Sequence, residues 1–134
     1  MEQTGTERAV RVVAAVVEQD GCFLAARRKS GGIGGDWEFP GGKLRDGETP
    51  ERGLERELRE ELGVTARCGE VYETVAYRGA AAIDLLVYRV SLDTGDFTLT
   101  DHEEVRWLRP DDMDEARFSA PDRPVVRKLR GERS

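Results

Sequence analysis

The chain is short of the residues that usually carry nucleophilic or thiol chemistry. It holds one histidine, His102, and two cysteines, Cys22 and Cys68. A single imidazole leaves a Ser-His-Asp relay little to draw on, and His102 reads as a loop residue rather than a catalyst. Neither cysteine belongs to a CxxC pair, and each stands alone in its segment. Both read as small core residues in a reducing compartment. No apolar run is long enough to span a bilayer. The opening stretch MEQTGTERAV lacks the basic, apolar and small-residue order of a signal peptide, so a cytoplasmic location is expected. A basic excess is missing too: 21 Lys and Arg face 27 Asp and Glu, a net charge of −6. That balance speaks against a nucleic-acid duplex as partner. The run GGIGG at 31–35 reads as a flexible loop. No GxGxxG lies between a strand and a helix, which removes a Rossmann reading.

What the chain does have is a dense acidic segment, GKLRDGETPERGLERELREELGV, at 42–64. Thr49-Pro50-Glu51 reads as a helix start, with an N-cap, a Pro in the first turn and an acid at the positive end. Leu54, Leu58 and Leu62 recur every fourth residue as a buried stripe, and Gly63 reads as the C-cap. On such a helix Glu57, Glu60 and Glu61 share one face at i, i+3 and i+4. At an effective dielectric of about 20, two charges roughly 5.5 Å apart repel by about 3 kcal/mol. Acids crowded in a sheltered cleft therefore call for a cation, and oxygen-only ligands favour Mg²⁺ or Mn²⁺.

The remaining pattern is mostly strands. Val10 to Glu18 is β-branched and apolar, a buried strand, and Asp20-Gly21 signals a hairpin into Cys22 to Arg28. Lys29 to Asp36 reads as loop, and Trp37 to Pro40 as a short strand entering Gly41-Gly42. Val71 to Arg78 and Ala82 to Leu92 read as strands paired around Gly79, with shorter strands at Phe97 to Leu99 and Val105 to Leu108. A brief helix is expected at Asp111 to Ala116 and a C-terminal one at Pro124 to Arg130. The order gives an α/β class, a mixed sheet between helical layers. One domain over 9–131 is expected, with flexible tails at 1–8 and 132–134.

The segment resembles the Nudix hydrolase signature. Gly42, Glu48, Arg56, Glu57, Leu58, Glu60, Glu61, Gly63 and Val64 occupy every fixed position of that box. The preceding run WEFPGGK, residues 37–43, is similar to the MutT-type and CTP-pyrophosphohydrolase branches. The resemblance implies an α/β/α sandwich whose box forms loop, helix and loop. It implies hydrolysis of a phosphoanhydride by a Mg²⁺- or Mn²⁺-dependent enzyme, with a small nucleotide as substrate. Glu57, Glu60, Glu61 and the carbonyl of Gly41 are then the metal ligands. Glu57 or Glu60 is the general base, and Arg56 orients the acids with Glu48 in the same network. A further metal acid is expected from the late loop Asp101-His102-Glu103-Glu104, with Glu103 favoured.

For substrate binding the resemblance points to Arg28, Glu38, Phe39, Gly41 and Lys43, and Trp37 or Phe39 is either a stacking surface or core. Arg27 alternates with Arg28 and should point the other way. Asp122 falls where this branch reads the base. An ionised Asp only accepts, from the N4 amine of cytosine or an N–H of guanine, and Asp122 also reads as a cap for the last helix. The expected activity is conversion of a (d)NTP to (d)NMP and pyrophosphate, in nucleotide-pool sanitation. Cytidine-type, modified or oxidised guanine bases such as 8-oxo-dGTP are the expected substrates. The alternatives are another diphosphate, such as ADP-ribose or a dinucleoside polyphosphate, and a catalytically silent ligand sensor. Ala80 to Val90 suits a core strand or a dimer seam, so monomer and homodimer both stay open.

Overall fold

The structure, a computed structural model, describes residues 8–29, 35–93 and 95–132. Most of the GGIGG run and the extreme tails lie outside them. β1 (Val10–Val16) is apolar on both sides because both sides are covered. Val13, Ala15 and Val17 pack with Leu54, Leu58 and Leu62 of α1 (Pro50–Leu62). Ala14 and Val16 pack in a second cluster with Val125, Val126 and Leu129 of α2 (Arg123–Gly131). Fully burying each Leu of the α1 stripe contributes about 2 kcal/mol. This is the expected class, mixed sheet with helices on it.

The strands divide between two sheets. β1 lies between β5 (Gly41–Lys43), antiparallel, and β7 (Ala82–Leu92), parallel; β7 pairs outward with β6 (Ala66–Arg78). In the second sheet β3 (Cys22–Arg28) pairs with β2 (Glu18–Gln19), β4 (Trp37–Glu38) and β8 (His102–Leu108). Asp20 and Gly21 take positive φ, 52° and 79°, as the expected hairpin turn requires. The expected strand from Trp37 into Gly41-Gly42 is two strands in two sheets. The chain crosses at Phe39-Pro40, and the Ala15 N–H donates to the Pro40 carbonyl at 2.8 Å. This crossing sets the second sheet beside the box.

α1 begins and ends as its sequence indicates. Thr49 Oγ1 accepts from the Arg52 N–H, Pro50 opens the helix, and Gly63 at φ 69° closes it with its N–H on the Arg59 carbonyl. Other expectations are corrected. Phe97 to Leu99 is not a strand: the Thr98 and Thr100 N–H groups donate to the carbonyls of Leu62 and Glu61, capping the end of α1 instead of joining a ladder. β6 starts at Ala66, five residues early, because two register shifts between Cys68 and Glu73 carry the pairing through a polar stretch. Asp111 to Ala116 resolves into two 3₁₀ turns, Pro110–Asp112 and Glu115–Arg117. Glu132, placed in a tail by sequence, accepts from the Tyr72 hydroxyl at 2.8 Å. No helix of the described residues is long and apolar enough to cross a membrane.

Candidate active site

A cleft of about 490 Å³ opens where the box helix, β1, β5 and the β4 crossover meet. Glu57 and Glu61 form one wall, Arg28 and Glu38 another, and Phe39, Ile83, Leu85 and Pro121 an apolar end closed by Asp122. Such a volume suits a nucleotide-sized ligand.

Arg56 organises the box. Its guanidinium binds Glu48 through two nitrogens, Glu57 Oε1 at 2.9 Å, Glu60 Oε1 at 3.0 Å and the Lys43 carbonyl at 3.2 Å. The Arg56 hydrogen bond first, and the Arg45 N–H at 2.9 Å next, pull the Glu48 carboxyl down to about 2. Glu57 is pushed up by burial against the opposing pull of Arg56. Glu61 is pushed up by burial first and by the Glu57 charge next.

The three box acids do not act as one face. Glu57 and Glu61 line the cleft. Glu60 sits outside its lining with a side chain 46% exposed, held by Arg56 and by Arg45 at 3.3 Å. Among the described residues no three His, Cys, Asp or Glu side chains converge as a ready-made cage. The donor set nevertheless fits a hard divalent cation. Glu61 Oε1 is buried with no hydrogen-bond partner. Gly42 makes a cradle: a Cβ there would lie 1.7 Å from Glu57 Oε2. At Gly41 a Cβ would lie 1.9 Å from the Val13 carbonyl, so its backbone approaches as closely as glycine alone permits.

Arg28 and Arg27 point apart as alternation requires. Arg28 Nε donates to Glu38 Oε1 at 2.9 Å in the cleft wall, whereas Arg27 binds Glu103 at 2.9 Å and Glu104 at 3.0 Å. Glu103, expected beside the box acids, is therefore drawn to Arg27 and is absent from the cleft lining. β3 and β8 pair in register from Phe23↔Leu108 to Arg27↔Glu104, then shift so that Arg28 faces His102. Glu103 is the extra residue of that bulge, and bulges re-aim side chains.

His102 is accordingly no loop residue. It is 1% exposed, with Nε2 2.8 Å from Glu38 Oε2 and Nδ1 3.6 Å from Glu61 Oε1. Sequence reasoning passed over it. The one available signal was its being the sole histidine next to an acid-rich loop.

At the apolar end Phe39 lines the cleft and its ring lies 5.3 Å from that of Phe118. Trp37 is core, covered by Arg106 at 5.3 Å. Lys43 is exposed at the cleft rim. Asp122 precedes α2 but makes no side-chain cap; its Oδ2 accepts from the Phe39 N–H at 3.3 Å. Burial pushes its carboxyl well above the usual range and the nearby Glu38 charge adds to the rise. The rise favours the protonated form, in which a carboxyl can donate as well as accept.

Comparison with known proteins places this geometry in a family. The NUDIX domain matches residues 6–129, and the chain belongs to the NUDIX hydrolases. It is 34% identical over 120 residues to the CTP pyrophosphohydrolase of Escherichia coli, covering 87% of this chain and 88% of that one. Over 73 residues it is 41% identical to the 8-oxo-dGTP diphosphatase of Proteus vulgaris, 53% of this chain and 65% of the relative, so it spans about two thirds of that protein's length. The solution structure of the Escherichia coli ORF135 protein superposes with a TM-score of 0.76 at 28% identity, covering 96% of this chain and 93% of the other. Nudix hydrolases generally use divalent metal ions and act on small nucleotide substrates.

Proposed function

We propose that the chain is a Mg²⁺-dependent nucleoside triphosphate pyrophosphohydrolase that consumes a (d)NTP and water and releases (d)NMP and pyrophosphate. One observation carries the reading: Glu57 and Glu61 share a single cleft with Arg28, Lys43 and an apolar end closed by Asp122. Acids for a cation, cations for phosphates and an apolar surface for a base line the same cleft. When bound, Mg²⁺ or Mn²⁺ would neutralise phosphoryl charge and acidify water.

The chain's own groups do the rest. Glu61, with an unpartnered buried oxygen, and Glu57 would hold the cation together with the Gly41 carbonyl, and Glu60 would join from the rim by exchanging an arginine contact. Glu57 is the general base. Arg56 fixes one of its oxygens, and the raised carboxyl is a better proton acceptor than an exposed acid. Arg28, steadied on Glu38 through Nε, keeps its terminal N–H groups for triphosphate oxygens. Lys43 adds a charge at the rim. Phe39 offers an aromatic wall, and a neutral Asp122 can donate to and accept from one base edge, as cytosine or an oxidised guanine demands. The named activities of the Escherichia coli and Proteus relatives support cytidine-type or 8-oxo-guanine substrates and a role in cleansing the nucleotide pool.

The test is product release from CTP, dCTP, 5-methyl-dCTP, 8-oxo-dGTP and ADP-ribose, with Mg²⁺ and with chelator. Metal-dependent pyrophosphate from a triphosphate is the expected result. Turnover of ADP-ribose alone, or binding without turnover, would overturn it. In heavy-oxygen water a single product should carry the label.

A further inference from the structure

Among the described residues, His102 is the buried, ionisable side chain beside the cleft that the proposed reaction leaves without a task. Its place is built rather than incidental. The β3–β8 bulge at Glu103 turns the ring inward opposite Arg28. There it touches two groups with different duties. Glu38 gives one oxygen to Arg28 at 2.9 Å and the other to His102 Nε2 at 2.8 Å. A carboxylate only accepts, so Nε2 carries the hydrogen. The opposite nitrogen, Nδ1, points at Glu61 Oε1 across 3.6 Å, and both atoms are buried without a hydrogen-bond partner.

We propose that His102 is a positioning residue that joins the two polar walls of the cleft from behind. Its Nε2 locks Glu38 onto Arg28, and its Nδ1 face confines the Glu61 carboxylate to the orientation that meets a cation. The assignment rests on the cation-dependent reading above and deepens it. The chain Arg28–Glu38–His102–Glu61 spans the sheet β3–β4–β8 to the end of α1. Loosening its middle member frees Glu38 to swing with Arg28 and frees Glu61 to relax toward solvent. Buried groups that orient metal ligands commonly matter this way.

Two conservative substitutions separate the contacts. A Gln amide reaches the Nε2 position and an Asn amide the Nδ1 position. His102→Gln should keep Glu38 on Arg28 and hold KM for the nucleotide near the unaltered value, while Mn²⁺ affinity, read by electron paramagnetic resonance without nucleotide, falls about tenfold. His102→Asn should do the reverse, with KM rising severalfold and Mn²⁺ affinity largely kept. His102→Ala should lose both. Circular dichroism and melting temperature record folding for each. Equal Mn²⁺ affinity and equal KM in the Gln and Asn variants, or losses in both that merely follow their melting temperatures, would overturn the assignment. Failure of the unaltered chain to bind Mn²⁺ would instead overturn the reading beneath it.

Discussion

The Phe39 N–H donates to the Asp122 carboxyl at 3.3 Å, tying the crossover between the two sheets to the start of the last helix. The bond puts an acid where only a neutral group is cheap to keep. It joins Asp122 to Phe39, whose ring forms the adjoining wall of the cleft.

A stability profile follows from that bond. Burial raises the Asp122 carboxyl well above its ordinary value, so the folded chain holds this proton more tightly than the unfolded chain does. Its stabilising contribution is complete below the unfolded pKa of about 3.9 and is lost as pH climbs toward the folded one. Asp122→Asn keeps an acceptor for Phe39 and has no proton to lose. Melting curves of variant and parent should lie closest at about pH 4 and separate as pH rises. The variant is then the more stable of the two, by about 3 °C or more, since about 1 kcal/mol moves the melting point of a domain this size by that much. Parallel curves from about pH 4 to pH 8 would contradict a raised Asp122 carboxyl.

Metal should stabilise the fold in a pH-dependent way. Burial raises Glu61 and Glu57, and the Glu57 charge raises Glu61 further, so protons and cations compete for the same oxygens. Without a cation, this contribution to stability fades as pH rises through the raised values, and a cation restores it. At a hundred times Kd a ligand adds about 2.7 kcal/mol, roughly 8 °C here. The rise in melting temperature with Mg²⁺ should be larger at pH 8 than at pH 5, and Glu61→Gln should remove most of it. An equal rise at both pH values would contradict the competition.

Gly41 and Gly42 are adjacent and should fail differently when given a methyl group. At Gly42 the added carbon meets the carboxylate end of Glu57, a flexible side chain that can yield. Gly42→Ala should stay folded and lose on the order of 10- to 100-fold in kcat/KM, because Glu57 is moved. At Gly41 the carbon meets the Val13 carbonyl at 1.9 Å, and β1 cannot yield without giving up its ladder with β5. Gly41→Ala should therefore cost about 3 kcal/mol of stability. Chemical denaturation and steady-state rates on both variants distinguish the two. Similar stability losses would show that Glu57 is not what Gly42 makes room for.

The sequence made the helical half of the site legible and left the sheet half obscure, for physical reasons. α1 is specified locally: Thr49 caps it, Pro50 starts it, three Leu bury it and Gly63 ends it. Local rules therefore placed Arg56, Glu57 and Glu61 beside one another. The second half depends on pairing between distant segments. Whether Glu103 or His102 turns toward Glu38 and Glu61 depends on one skipped residue in the β3–β8 register, which no local pattern encodes. Phe97 to Leu99 has strand-like composition, yet its neighbourhood spends N–H groups on the unsatisfied carbonyls of α1. Asp122 looked like a cap because it precedes a helix; burial and the Phe39 N–H claim it instead.

The choice between Glu57 and Glu60 as general base is decided by where their oxygens go. Glu60 has both oxygens on arginines, Arg56 at 3.0 Å and Arg45 at 3.3 Å, in a side chain 46% exposed. Neither oxygen is left free to meet a water in the cleft, whose lining Glu60 does not join. Glu57 commits one oxygen to Arg56 and keeps the other beside Gly42 in the cleft, its carboxyl raised by burial. Glu57→Gln should thus lower kcat by about a thousandfold, in the range of a lost general base, with the melting temperature held. Glu60→Gln should lower kcat less and leave the fold equally intact. Measured at saturating Mg²⁺ and nucleotide, so that weaker binding does not enter, the reverse order would move the base to Glu60 and give Glu57 the role of ligand alone.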